Sequence, residues 1–269
     1  MASVGVREEQ INFIERHRLF LDRFPNLQKA LDAAFVRQFS GTDLTDRVVF
    51  MLGRLCVEDF MEILVLAGNG YGIGALKILR GMYERAITAW YLHAHPDETE
   101  NFMDFYWVSQ HKLARAVTQT FGDILPKDKL DEVERMYREV RDRFMVRACD
   151  CGKKQLNYTW SKMDFVSMAR TVASLGQFIV PAYYIPTQQA HSTVRAILSR
   201  LEEGKDNGVI FGGGAQRDEA DSALRIGHLL VLSVLDLQRE HFKLDGVQGA
   251  IEQCIADCND IWLTTSSNK

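Results

Sequence analysis

The sequence predicts an all-α protein, a helical bundle of roughly eight to ten helices. Apolar residues recur at spacings of three and four along most of the chain, as one face of a helix requires. No stretch shows the clean alternation of apolar and polar residues that a half-buried strand needs. Proline is scarce, with five residues among 269, so long segments can stay helical without interruption.

Helix-stopping residues set the ends of the first four predicted helices. Pro25 ends the first helix, and the Ser40-Gly41 pair ends the second. The Thr42-Asp43 pair can cap the third. The fourth helix is the most apolar of the chain, and Pro96 closes it. These helices cover residues 7–23, 27–39, 43–67 and 75–94.

The C-terminal part of the chain follows the same logic. Asp97 and Pro126 mark two helix starts, and Cys149 to Tyr158 is predicted to be a loop. Around Gly176 the pattern fits two helices or one broken helix. The glycines from Gly204 to Gly214 predict a flexible segment, which lacks the G-K-[S/T] ending of a phosphate-binding P-loop. The helices cover residues 97–117, 128–144, 160–176, 178–201, 218–242 and 247–262.

Composition indicates a globular, cytoplasmic protein. Hydrophobic residues make up 46% of the chain and charged residues 25%, which is ordinary for a globular domain. The longest apolar run, Phe60 to Ala67, is interrupted by Glu62 and is too short to span a membrane, and the N-terminus has no apolar signal segment. An odd number of cysteines, five, favours reduced thiols in the cytoplasm. We expect a helical-bundle domain over residues 43–262, an N-terminal helical extension over 1–42 and a frayed tail over 263–269.

Several function classes are disfavoured by what the sequence lacks. The formal net charge of −4 shows no overall excess of basic residues for binding nucleic acid, although it does not exclude a local basic patch. Cys149 and Cys151 form C-x-C rather than the C-x-x-C of zinc sites, so we expect no metal and no cofactor. The motifs of di-iron bundles, zinc proteases and α/β hydrolases (E-x-x-H, H-E-x-x-H and G-x-S-x-G) are missing from the sequence.

Four residues form the candidate polar site that the sequence suggests. Arg80 and Glu84 are four residues apart on a strongly apolar helix, so they share one face. They are either a structural ion pair or part of a functional pocket. Tyr184 and His191 are seven residues apart, two helical turns, although the intervening Pro186 weakens that geometry. A histidine can transfer protons near neutral pH, but a lone histidine is more often a hydrogen-bonded core residue.

Three segments resemble a known family. The segment Ala75 to Ala86 resembles the central helix, with the pattern L-x-R-x-x-x-E, of an uncharacterised prokaryotic family, domain of unknown function 5677. The Trp160-Ser161-Lys162 segment looks like its tryptophan-containing turn. The stretch from Tyr183 to Ser192 is similar to its Y…S…H element, with Thr187 where the family often has serine. The resemblance spans roughly residues 45 to 240. It implies an all-α fold and one site formed by the four candidate residues, and it implies no known activity.

A more distant comparison is with the HEPN helical-bundle ribonucleases. Those proteins have an arginine followed shortly afterwards by a histidine on one helix. In this chain Arg85 and His93 are too far apart, and His191 and Arg195 stand in the reverse order. This departure weighs against RNA cleavage of that kind.

Whether the protein is an enzyme is left open by the sequence. One hypothesis is a metal-independent enzyme that acts on phosphate esters or RNA, of a defence or toxin type, with Arg80 neutralising the phosphate, Glu84 orienting Arg80 or acting as base and His191 transferring a proton. The alternative is a non-enzymatic module that binds a protein or a small ligand, for which the aromatic run Phe102 to Trp107 is one candidate surface, although core packing is favoured there. A third interpretation makes the polar residues purely structural. A homodimer is expected, because closed symmetric pairs are common.

Overall fold

A computed structural model describes residues 5–37, 39, 43–147, 152, 154–204 and 208–263. Over these residues it confirms the all-α class, with twelve α-helices and only two short β-hairpins. The helices are α1 Arg7–Arg16, α2 Arg18–Phe35, α3 Leu44–Gly68, α4 Gly72–Ala94, α5 Thr99–Phe121, α6 Lys127–Val140, α7 Phe165–Thr171, α8 Ala173–Gly176, α9 Ile185–Ala190, α10 Val194–Leu198, α11 Arg217–Phe242 and α12 Gln248–Leu263. The strands are β1 Met145–Arg147, β2 Lys154–Leu156, β3 Leu201–Glu203 and β4 Val209–Phe211. In this part of the chain no helix is long and apolar enough to cross a membrane.

The chain divides into two compact units. One lies within Met1–His93 and Met168–Lys269, and the other within Ala94–Ser167. The domain boundary expected after residue 42 stays a prediction. The expected tail lies, apart from Leu263, outside the described residues.

The core of the larger unit is built where α3 packs against α11. The apolar residues that recur every three to four positions along α3 are buried. They pack against a buried apolar face of α11. The helices approach closely at one glycine on each side. A Cβ atom at Gly53 would lie 2.7 Å from Nε2 of Gln238 in α11, and one at Gly227 would lie 3.2 Å from Phe60 in α3.

The smaller unit has a core of its own. In it α5 runs against α6, with a buried cluster of Val108, Val140 and Phe144. Strands β1 and β2 pair antiparallel, with Met145 opposite Leu156. The loop predicted over Cys149 to Tyr158 is therefore wrong at residues 154–156, where a short strand finds a partner that no local pattern reveals. Cys149 and Cys151 lie outside the described residues.

The predicted helix end at Pro25 is wrong. Pro25 lies inside α2, and the helix break falls at His17 instead. A proline removes one backbone hydrogen bond from a helix, whereas α2 buries large apolar side chains both before and after it, with Phe20 and Leu27 almost fully covered. On either side of Pro25, Arg23 and Asn26 donate to the carboxylate of Asp257 in α12 at 3.0 and 2.7 Å. Burial and these bonds keep the helix continuous.

The helices predicted over 160–176 and 178–201 are also corrected. Residues 157–164 form no helix, and the remainder is divided into α7, α8, a π-helical segment Ile179–Tyr184, α9 and α10. Pro186 stands in the first turn of α9, where a proline fits. The glycine-rich segment includes β3 and β4, which pair antiparallel, while residues 205–207 lie outside the described residues.

His228 is a buried histidine whose surroundings change its pKa. It is 3% exposed, and its Nδ1 accepts a hydrogen bond of 3.1 Å from Nε1 of Trp262. The edge of its ring meets Phe20, with centroids 5.5 Å apart. Burial lowers the pKa of His228 to about 4. The imidazole is therefore neutral in the folded protein at neutral pH.

We predict that His228→Asn removes part of the acid dependence of stability. In the unfolded chain a histidine titrates near 6.5, so this depressed pKa contributes stability above about pH 6.5 that is lost as the pH falls toward 4. The full loss amounts to about 3 kcal/mol. Urea denaturation at several pH values between 4 and 7 should show a shallower slope for His228→Asn than for the parent. The exposed His191→Asn should keep the parent's slope, and an unchanged slope in His228→Asn would contradict the prediction.

Candidate functional site

The central helix α4 holds the first half of the candidate site. Its apolar residues Leu79, Met82 and Tyr83 are completely buried, which turns Arg80 and Glu84 toward its partly exposed flank. Nη2 of Arg80 donates to Oε1 of Glu84 at 2.9 Å. The two side chains are 29% and 38% exposed. The pair is therefore formed as the spacing predicts, in a position that a ligand can reach.

A tyrosine from the π-helical segment completes the surroundings of Arg80. The guanidinium carbon lies 5.1 Å from the centroid of the Tyr183 ring, which is a cation–π contact. Nε of Arg80 is buried and has no hydrogen-bond partner. An unsatisfied buried donor costs about 1–3 kcal/mol. Because Nε is buried, a ligand oxygen that removed this cost would first have to displace the side chains that cover it.

Glu84 has the electrostatics of a proton acceptor. Burial raises the pKa of Glu84, and this effect outweighs the lowering by the positive charges of Arg80 and Arg85. An ionised carboxylate with a raised pKa is a stronger base, and general base catalysis is most efficient when the pKa lies near the operating pH.

The next turn of α4 carries a different ion pair. Arg85 is hydrogen-bonded to the carboxylate of Asp59 in α3, whose side chain is only 12% exposed. Burial also raises the pKa of Asp59, against the opposing effect of Arg85. This pair joins two core helices, so we interpret it as structural.

Tyr184 and His191 occupy different positions relative to this group. Tyr184 is 46% exposed, and its ring lies 5.6 Å from that of Tyr183 at an angle of 67°. His191 is exposed just after α9, where the backbone becomes extended. Among the described residues, no hydrogen bond, ion pair or ring contact joins its side chain to the others of the site. The structure thus brings Arg80, Glu84 and Tyr183 together, with Tyr184 at their edge.

Sequence reasoning missed the contact of Tyr183 and a pair of histidines. Two-turn spacing favoured Tyr184, but the π-helical segment changes which residue faces α4. His93 and His241 lie with their Nδ1 atoms 2.8 Å apart although 148 positions separate them in sequence. No local spacing could have paired them.

The thiols of this unit are buried and protonated. Burial raises the pKa of Cys254 and of Cys258 to about 11, and it also raises the pKa of Cys56. Over the residues described, no group of three or more histidine, cysteine, aspartate or glutamate residues could hold a metal ion. The thiols that the structure describes therefore pack as small apolar groups.

The fold and site define an all-helical protein with a polar site on its central helix. A family model described as a family of unknown function (DUF5677) matches residues 46–209. This is more than half of the chain, and the chain belongs to that family. The match contains all four candidate residues and ends before α11. No curated protein and no solved structure shows significant similarity to the chain.

We predict that the two ion pairs of α4 differ in their effect on stability. Glu84→Gln should lower the free energy of unfolding by less than about 1 kcal/mol, because partly exposed pairs contribute little. Asp59→Asn should lower it by roughly 2–3 kcal/mol, because it weakens charged hydrogen bonding at a nearly buried position. Chemical denaturation of both variants at pH 7 measures the difference. An equal loss in both would make Arg80 and Glu84 scaffold residues.

Proposed function

We propose that this chain is a metal-independent enzyme that acts on phosphate esters, RNA among them, with Arg80 binding the phosphate. The observation on which this rests is the buried Nε of Arg80 without a partner, in a guanidinium held by Tyr183 and Glu84. A planar guanidinium can donate two parallel hydrogen bonds to phosphate oxygens. A phosphate would thus satisfy a donor that the protein itself leaves unsatisfied.

The other site residues take roles that follow from their surroundings. Glu84, with its raised pKa, accepts the proton of the attacking hydroxyl. The half-exposed ring of Tyr184 offers a surface on which a base can stack. His191 returns a proton to the leaving oxygen. His191 is exposed after α9 and, within the described part of the chain, makes no hydrogen bond or ion pair with Arg80 or Glu84, so the bound substrate or a movement of the end of α9 has to bring it to the reacting phosphate.

The proposal predicts a selective loss of activity in site variants. The assay is cleavage of a labelled single-stranded RNA by the parent in the presence of a chelator. Arg80→Gln, which removes the charge that stabilises the transferring phosphate, should lower the rate about a hundredfold or more. Glu84→Gln and His191→Ala should each lower it by about a hundredfold.

Arg54→Gln is the matched control for Arg80→Gln. Arg54 is also paired with a glutamate one turn on, Glu58, at 3.6 Å, but on the exposed face of α3. This variant should keep the parent's rate, and thermal unfolding of all variants checks that they are folded. A parent that cleaves no RNA and no simple phosphate ester, or an Arg80→Gln variant of full activity, would refute the proposal.

The second candidate function is a binding module that acts as a homodimer. Large apolar side chains of α10 and the β3–β4 hairpin are exposed, which favours their burial by a partner. They are Val194, Ile197, Leu198, Leu201, Val209, Ile210 and Phe211. By contrast, Phe105 of the aromatic run Phe102 to Trp107 packs against Phe144 in the core of the smaller unit.

For a dimer through this surface, Ile197→Glu should weaken self-association at least tenfold, because it places a charge in an apolar contact. Sedimentation equilibrium over a wide concentration range measures the dissociation constant. Val36→Glu alters an even more exposed apolar residue outside the surface and is the control. A parent that remains monomeric at the highest concentration would exclude the dimer.

A further inference from the structure

Three helix ends of the larger unit meet at a pair of histidines. His93 stands in the last turn of α4, His241 in the last turn of α11, and Asp46 in the first turn of α3. The two Nδ1 atoms are 2.8 Å apart. On the outer sides, Nε2 of His241 lies 3.1 Å from Oδ1 of Asp46, and Nε2 of His93 lies 3.3 Å from Oε1 of Glu240. The four side chains form one continuous row of hydrogen-bonding contacts.

Counting hydrogens along this row decides its protonation. A carboxylate only accepts, so each Nε2 must carry the hydrogen in its contact with a carboxylate. A neutral imidazole has only one N–H, so two neutral rings would face each other with bare Nδ1 lone pairs. At 2.8 Å that contact is a hydrogen bond only if one proton lies between the rings. Two protons there would oppose each other.

We propose that His93 and His241 bind one proton between them, and that this shared proton fastens the ends of α3, α4 and α11 together near neutral pH. The row then holds one positive charge between two carboxylates. Such charge-assisted hydrogen bonds are stronger than neutral ones.

The surroundings favour one proton over two. Burial and the neighbouring His93 lower the pKa of His241, while Asp46 and Asp43 at the start of α3 act in the opposite direction. Arg37 places a further positive charge beside Phe242. Its guanidinium carbon lies 4.6 Å from the centroid of the Phe242 ring. The centroids of the Phe242 and His241 rings are also 4.6 Å apart. On the other side, the Trp90 ring meets His93 edge-on.

A shared proton gives the stability a maximum in pH. Unfolded histidines titrate near 6.5, so below this pH the unfolded chain binds more than one proton on these residues and stability rises with pH. Above pH 6.5 the two histidines of the unfolded chain together bind less than one proton. Stability then falls with rising pH as long as the folded pair keeps its shared proton. The contribution of the pair is therefore largest near pH 6.5. On either limb the folding equilibrium changes by up to about tenfold per pH unit.

The proton can be observed directly in the intact chain. Nuclear magnetic resonance of ¹⁵N-histidine-labelled protein at pH 6.5 should show the Nδ1 signals of His93 and His241 coupled to each other through one shared proton. Assignments come from His93→Gln and His241→Gln, and the exposed His191 provides a reference ring. Two rings with unprotonated Nδ1 signals at this pH would overturn the proposal.

Stability provides the second measurement. The free energy of unfolding of the parent, both single variants and the double variant gives a coupling between the two histidines at each pH. We expect this coupling to peak near pH 6.5 and to fall on both sides, while His191→Gln leaves the parent's profile unchanged. A coupling that is flat with pH, or that only rises or only falls between pH 5 and 8, would refute a shared proton.

Discussion

The close packing of α3 against α11 is the constraint on which the rest of the larger unit depends. Because Gly53 and Gly227 have no side chains, Gln238 of α11 packs against the backbone of α3 at Gly53, and Phe60 of α3 packs against the backbone of α11 at Gly227. Nε2 of Gln238 also donates to the backbone oxygen of Val49 at 3.2 Å within this contact. The same approach brings the start of α3 to the end of α11, where Asp46 meets His241.

The position of α4 follows from this pair of helices. The thiol of Cys56 in α3 lies 3.6 Å from the backbone oxygen of Met82, and Asp59 in α3 binds Arg85. With this face of α4 occupied by α3, Arg80 and Glu84 must lie on its flank, where Tyr183 covers the guanidinium. The candidate site is therefore placed by core packing rather than by a loop.

Periodicity could predict the long helices because each of them buries one continuous face. In α3, α11 and α12 this burial is strong enough that sequence spacing alone locates them within a few residues. Proline was less informative, since its effect depends on what the surrounding helix buries, as Pro25 shows. Of the candidate site, the spacing of Arg80 and Glu84 predicted their pair, but the π-helical segment that selects Tyr183 left no signal in the sequence.

Two deeply buried carboxylates are partnered on both oxygens, whereas the guanidinium groups of Arg80 and Arg37 each keep one buried nitrogen without a hydrogen-bond partner among the described residues. Glu9 is 1% exposed and receives hydrogen bonds from Arg16 and Arg217 on its two oxygens. In the same way, the buried Asp257 is satisfied from both α2 and its own helix. Each of these carboxylates hydrogen-bonds to a second helix, so its burial stabilises the packing of two helices.

The hydrogen bond of Arg80 stays within α4, in a partly exposed pair with Glu84 that contributes less than about 1 kcal/mol, and its contact with another element is the cation–π contact with Tyr183. Its unsatisfied Nε costs at least as much, about 1–3 kcal/mol. This unsatisfied donor is the observation from which we propose a ligand at Arg80. A guanidinium donates stronger hydrogen bonds to an oxyanion than to a neutral group, which is why phosphate is the ligand that we propose for this position.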